Sequence, residues 1–145
     1  MLPLSTSLNQ NPFLMSVGCS MGAYHAANFA FRNPYLVNKV VALSGRYDLT
    51  KQMWHYDDLL NGHFDDNVYL HMPYHYIKNM PEGELLNQIR KQDIRIICGQ
   101  EDAFLENNIE FSARLWEKGI WHTFHQWDGI AHSARFWRQM LPSHL

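Results

Sequence analysis

Short apolar runs recur along the chain at intervals too wide for a single helix and too regular for a disordered segment. Residues 13–17 read FLMSV, 37–43 VNKVVAL, 94–98 IRIIC and 121–127 WHTFHQW. Brief apolar runs bounded by turn residues predict strands buried on both faces. The fourth has more polar content and is expected nearer a sheet edge. Between the runs lie helical patterns. Residues 22–32 are rich in alanine and stop before Pro34, while 107–118 put Ile109, Ala113 and Trp116 on one face and end at Gly119. Residues 82–91 follow Pro81, and 133–140 are halted by Pro142. Strands alternating with helices of this length predict an α/β domain over residues 1–145: a mostly parallel sheet of about four strands flanked by helices. The segment 46–80 is crowded with Tyr, His, Asp, Asn and Pro and keeps neither period. It is expected to be an irregular insertion near the carboxyl ends of the strands, where α/β proteins bind ligands. The first dozen residues, MLPLSTSLNQNP, read as an unpatterned tail.

Composition removes several classes of function. With 145 residues, 46% apolar content and a formal charge of −2, the chain has the make-up of a globular domain and no electrostatic case for nucleic acid. No apolar run approaches the roughly 18 residues of a membrane span, and the N-terminus lacks the pattern of a secretory signal. Cys19 and Cys98 are too few for a disulfide framework or a zinc site, which fits reduced thiols in a cytoplasm.

Chemistry concentrates at Gly18-Cys19-Ser20-Met21-Gly22. Gly-x-Ser-x-Gly between a strand and a helix is the pattern of a nucleophile elbow, a sharp turn that only small flanking residues allow. Ala23, Ala26 and Ala27 would let the following helix pack closely on the sheet. Serine is almost wholly protonated at neutral pH, so a nucleophilic Ser20 needs a base, and the base an orienting carboxylate. Strand 94–98 is followed by Gly99-Gln100-Glu101-Asp102, and strand 121–127 by Asp128-Gly129-Ile130-Ala131-His132, an acid and a base in the order Ser, Asp, His. His132 is the candidate base. The acid lies among Asp102, Glu101, Glu106 and Asp48, with Asp102 favoured by its short distance from the strand end; a helix-capping role is the competing reading for it. The Met21 N–H is the candidate oxyanion donor.

The nine histidines make no convincing metal site. Pro73 interrupts the helix that would align His71 with His75, and no HExxH-type pattern accompanies them. His25 on the small-residue helix is expected to be packed, as are Trp116 and Trp137. No metal or cofactor enters the reading.

Beyond these single positions, the stretches GCSMGAYHAANFAFRNP, VVALSGRYDL, DDNVYLHMP, IICGQEDAF and EKGIWHTFHQWDGIAHSARFWRQMLPSHL resemble the esterase family of the α/β-hydrolase superfamily, which includes esterase D-like and mycolyltransferase-like proteins. That resemblance implies a serine carboxylic-ester hydrolase with Ser20 as nucleophile, His132 as base and the acid in the GQED segment, acting on a small-molecule ester. Two departures stand out. Family members often carry Asp-Trp after the histidine, where this chain has Ser133-Ala134. They also carry several strands before the elbow, so the chain is expected to be the C-terminal part of the fold. The strand at 13–17 would then present an apolar edge suited to self-association or a partner. One oxyanion donor would also be missing, at a cost on the order of a hundredfold in rate. A catalytically silent, edge-binding module is the rival expectation.

Overall fold

The computed structural model describes residues 11–145; most of the polar N-terminal tail lies outside the described residues. Four parallel strands, β1 (Met15–Cys19), β2 (Lys39–Leu43), β3 (Asp93–Gly99) and β4 (Thr123–Trp127), form one sheet in that order. Helix α1 (Met21–Arg32) joins β1 to β2, and α5 (Leu105–Glu117) joins β3 to β4. Between β2 and β3 come the short helices α2 (Asp66–His71), α3 (Pro73–Asn79) and α4 (Glu84–Ile89), and α6 (Ala134–Met140) follows β4. The parallel α/β sheet expected from the apolar runs is therefore present, with β4 at one edge.

The sheet separates two apolar layers. Val40 and Ala42 on β2 and Ile94 and Ile96 on β3 point to the face covered by α1, α3, α4 and α5 through Ala23, Ala27, Ile77, Leu86, Ile89, Phe111 and Leu115. The alternate residues Val41, Leu43 and Ile97 point the other way, towards Met140 and Trp137 of α6. All five residues of β2 are buried, as an interior strand with both faces covered requires.

Several expectations change. Helix α5 buries Asn107, Asn108, Phe111, Ser112 and Leu115, leaving Ile109 and Trp116 exposed. The apolar stripe read from Ile109, Ala113 and Trp116 is thus the solvent face. Trp116, 45% exposed, packs edge-on against the exposed Trp121 rather than into the core. The buried asparagines explain the inversion, because both are hydrogen-bonded anchors to neighbouring backbone rather than surface residues. Asn107 Oδ1 accepts from the backbone N–H groups of Tyr47 and Asp48, and Asn108 Nδ2 donates to the carbonyls of Gly45 and Phe104. His25 is exposed, with its ring against Tyr24. Within segment 46–80, α2 starts from Asp65, whose carboxylate accepts the Val68 N–H, and α3 starts on Pro73.

Candidate active site

The turn after β1 carries the first candidate. Ser20 has φ 55° and ψ −120°, a conformation that costs a non-glycine residue about 1–3 kcal/mol. Backbone bonds hold it there: the Ser20 N–H donates to the Leu43 carbonyl at 2.8 Å, and the Ser20 carbonyl accepts from Ala23 N–H at 3.0 Å. Gly18 is obligatory, since a Cβ at that position would lie 1.9 Å from the Gly22 carbonyl oxygen. Met21 opens α1, so its N–H has no intrahelical acceptor and sits beside the serine.

Ser44 provides an internal contrast. It follows β2 as Ser20 follows β1, has φ 51° and donates its N–H to the Ile97 carbonyl. Yet it is fully buried, and its Oγ accepts from Trp137 Nε1 at 3.1 Å. Its hydroxyl is thus engaged in packing. Ser20 is only partly buried, and among the described residues its hydroxyl makes no hydrogen bond to His132.

The acid and the histidine do meet. Asp102 Oδ2 lies 2.8 Å from His132 Nδ1, and Oδ1 accepts the Phe104 N–H at 2.9 Å. With its side chain only 1% exposed, Asp102 has both carboxylate oxygens satisfied by these bonds. Burial, followed by the charge of Asp102, pushes the Cys98 thiol well above its ordinary value, so Cys98 remains a protonated donor. A carboxylate at Nδ1 selects the Nδ1–H tautomer and leaves Nε2 as the acceptor. The other carboxylates lie elsewhere. Asp48 pairs with Thr50 and His75, Glu106 pairs with Lys51, and Glu101 is exposed.

Loop stitching brings the pair together. The Gln100 N–H donates to the Trp127 carbonyl and the Glu101 N–H to the Gly129 carbonyl, tying the loop after β3 to the loop after β4. Gly99 makes this approach possible, because a Cβ there would lie 2.1 Å from the Ile130 carbonyl oxygen. Phe104 and Trp137 each set a ring 5.3 Å from the His132 ring, at 79° and 67°. Packing against these two rings therefore orients the imidazole. Sequence reading missed Cys98, Phe104 and Ser44 in this neighbourhood; only the spacing of Phe104 from Asp102 carried any local signal. No group of three or more His, Cys, Asp or Glu side chains suited to a metal occurs among the described residues.

A parallel sheet with a serine elbow after one strand and a hydrogen-bonded acid–histidine pair from the loops after two others defines the α/β-hydrolase fold. The chain belongs to the family described as "Putative esterase", whose model matches residues 5–145. Among solved structures it is similar to a ferulic acid esterase, with a TM-score of 0.69 and 23% identity over 88% of this chain and 47% of that one. It is also similar to the S-formylglutathione hydrolase of Staphylococcus aureus, with a TM-score of 0.60 and 24% identity over 89% and 48%. A third likeness is to the fluorophosphonate-binding serine hydrolase F of the same organism, with a TM-score of 0.63 and 20% identity over 89% and 51%. At these identities the likeness is one of fold, and the chain spans about half the length of each. No curated protein matches the chain.

Proposed function

We propose that the chain carries the catalytic centre of a serine carboxylic-ester hydrolase, with Ser20 as nucleophile, His132 as base and Asp102 as the orienting acid. The observation that carries this reading is the partly buried Asp102–His132 hydrogen bond of 2.8 Å at the same end of the sheet as the strained Ser20 turn. As Ser20 Oγ attacks the ester carbonyl, His132 Nε2 takes its proton and the carbonyl π electrons move onto oxygen, which accepts a hydrogen bond from the Met21 N–H. Collapse expels the alcohol with the proton returned by His132, and water repeats the sequence on the acyl-enzyme. An unmade Ser–His hydrogen bond is compatible with this role, since such contacts often tighten only with substrate bound. Membership of the esterase family, and neighbours named as a ferulic acid esterase and an S-formylglutathione hydrolase, support a small-molecule ester as substrate. Cytoplasmic residence fits the two unpaired thiols, and no described helix is long and apolar enough to cross a membrane.

Hydrolysis of para-nitrophenyl acetate by the wild-type chain, Ser20→Ala and Asp102→Asn tests the assignment. The wild type is expected to turn over the ester and Ser20→Ala to fall to background. Equal rates in all three folded proteins would remove the reading.

A second reading has its own observation. Strand β1 pairs only with β2 among the described residues and exposes Val17 at 41%, with Phe13 beside it at 67%. An edge strand with unpaired backbone groups and apolar side chains is a template for another strand. Association of two copies through β1 follows from it, and is compatible with either an active or a silent site.

A further inference from the structure

Arg46 follows β2 by three residues, so it leaves the sheet between the strand that leads to Ser20 and the strand that leads to Asp102. It is only 3% exposed. Its guanidinium carbon sits 5.8 Å from the centre of the Phe104 ring, the same ring that packs 5.3 Å from His132, and 6.0 Å from the Tyr56 ring. Only Nη2 is engaged, donating to the backbone carbonyls of Lys51 and Asp57. Nε is buried without a partner, and Nη1 makes no hydrogen bond to a described residue.

A buried guanidinium ordinarily has a carboxylate against it, because an uncompensated buried charge is costly. None bridges Arg46 among the described residues. Asp48 is spent on Thr50 and on His75, 3.5 Å away, and both Asp58 oxygens accept backbone N–H groups, from Leu60 and Gly62. Asp57 offers its carbonyl. Burial lowers the Arg46 pKa from its ordinary value, and Asp48, Asp58 and Asp57 oppose that only through the field. Loop anchoring accounts for two carbonyl bonds and leaves the remaining donors of a five-donor fork unexplained.

We infer that Arg46 is a specificity-determining residue that holds a carboxylate carried by the substrate, so that the preferred esters are half-esters of small dicarboxylic acids. Planar bidentate pairing with a carboxylate is the geometry a guanidinium serves best, and the aromatic rings of Phe104 and Tyr56 flank the Arg46 guanidinium without taking up its donors. The inference about substrate rests on the hydrolase reading above. Carboxylate binding at Arg46 does not.

The test separates the two. Mono-para-nitrophenyl glutarate and para-nitrophenyl valerate share acyl length and differ in charge. The wild-type chain is expected to favour the glutarate ester in kcat/KM. Arg46→Gln is expected to lose about ten- to a hundredfold of that preference, chiefly through KM, with Arg46→Lys between them. An unchanged preference in Arg46→Gln overturns the inference. Binding is read without catalysis by adding glutarate to the Ser20→Ala chain and following the Arg46 Nε–H signal, assigned by its loss in Arg46→Lys, in a proton–nitrogen correlation spectrum. A saturable shift supports the site even if Arg46→Gln fails to fold or no ester is hydrolysed, in which case the hydrolase reading alone falls. Hydrolysis of both esters with an unmoved Nε–H signal removes the inference and leaves the hydrolase reading intact.

Discussion

Ser20 and Gly18 show how one local geometry specifies the site. A side chain at residue 18 has nowhere to go, whereas a Cβ at Gly22 meets nothing within 4 Å. Gly18→Ala is therefore expected to destabilise the fold by on the order of 3 kcal/mol, and Gly22→Ala to change it little, as measured by urea midpoints. Similar losses in both variants would contradict the steric account of the elbow. Asp102→Asn is expected to keep the fold but lose the carboxylate that selects the Nδ1–H tautomer of His132, lowering kcat on the order of ten-thousandfold. A rate within tenfold of wild type, measured with an activated ester, would take Asp102 out of the mechanism. At this scale the elbow was legible because glycine and small-residue spacing is a local property of the chain. Arg46 and Ser44 were not, since their meaning depends on contacts with Phe104 and Trp137, some sixty and ninety positions away.

At the scale of elements, the strands were read closely because a parallel sheet writes itself as unbroken apolar runs, and β2 is buried along its whole length. Helix α5 was read on the wrong face because its buried side is partly polar. Asn107 and Asn108 serve the backbone of residues 45–48, and Ser112 lies 2.6 Å from His122. Periodicity counts apolar side chains and cannot see a polar residue that is buried because its partner is fixed.

The Ser112–His122 contact has a consequence for pH. Burial lowers the His122 pKa, only partly offset by its hydrogen bond to the Ile120 carbonyl, and burial does the same for His144. Both rings are neutral in the fold, while the unfolded chain takes up protons near pH 6.5. Stability is thus fully present above about pH 6.5 and declines as pH falls from there towards the lowered folded values. Thermal melting between about pH 8 and 5 is expected to show that decline, with a smaller one in His122→Gln. A melting temperature flat across the interval would contradict the neutral, buried state of these rings.

For the whole molecule, the open flank of β1 and the site are two ends of one question. The chain spans about half the length of the solved structures it resembles, and β1 stands at an edge among the described residues. At tens of micromolar the wild-type chain is expected to sediment as more than a monomer, and Val17→Lys to shift it towards monomer by placing a charge on the exposed edge. Unchanged sedimentation would show that β1 is not the contact. The parallel order of the sheet was legible in the sequence, because alternating elements constrain topology. What covers β1 was not, because an apolar edge specifies burial without specifying a partner.

The central claim is that Ser20 is an activated nucleophile. A fluorophosphonate phosphonylates a serine, with loss of fluoride, efficiently only where a neighbouring base draws off its proton, so the most direct measurement is to label the folded wild-type chain and map the adduct by mass spectrometry, beside Ser20→Ala and His132→Ala. The account predicts a single adduct on Ser20, absent from Ser20→Ala and strongly reduced in His132→Ala. Equal labelling of wild type and Ser20→Ala, or no labelling of a folded wild type, would contradict it.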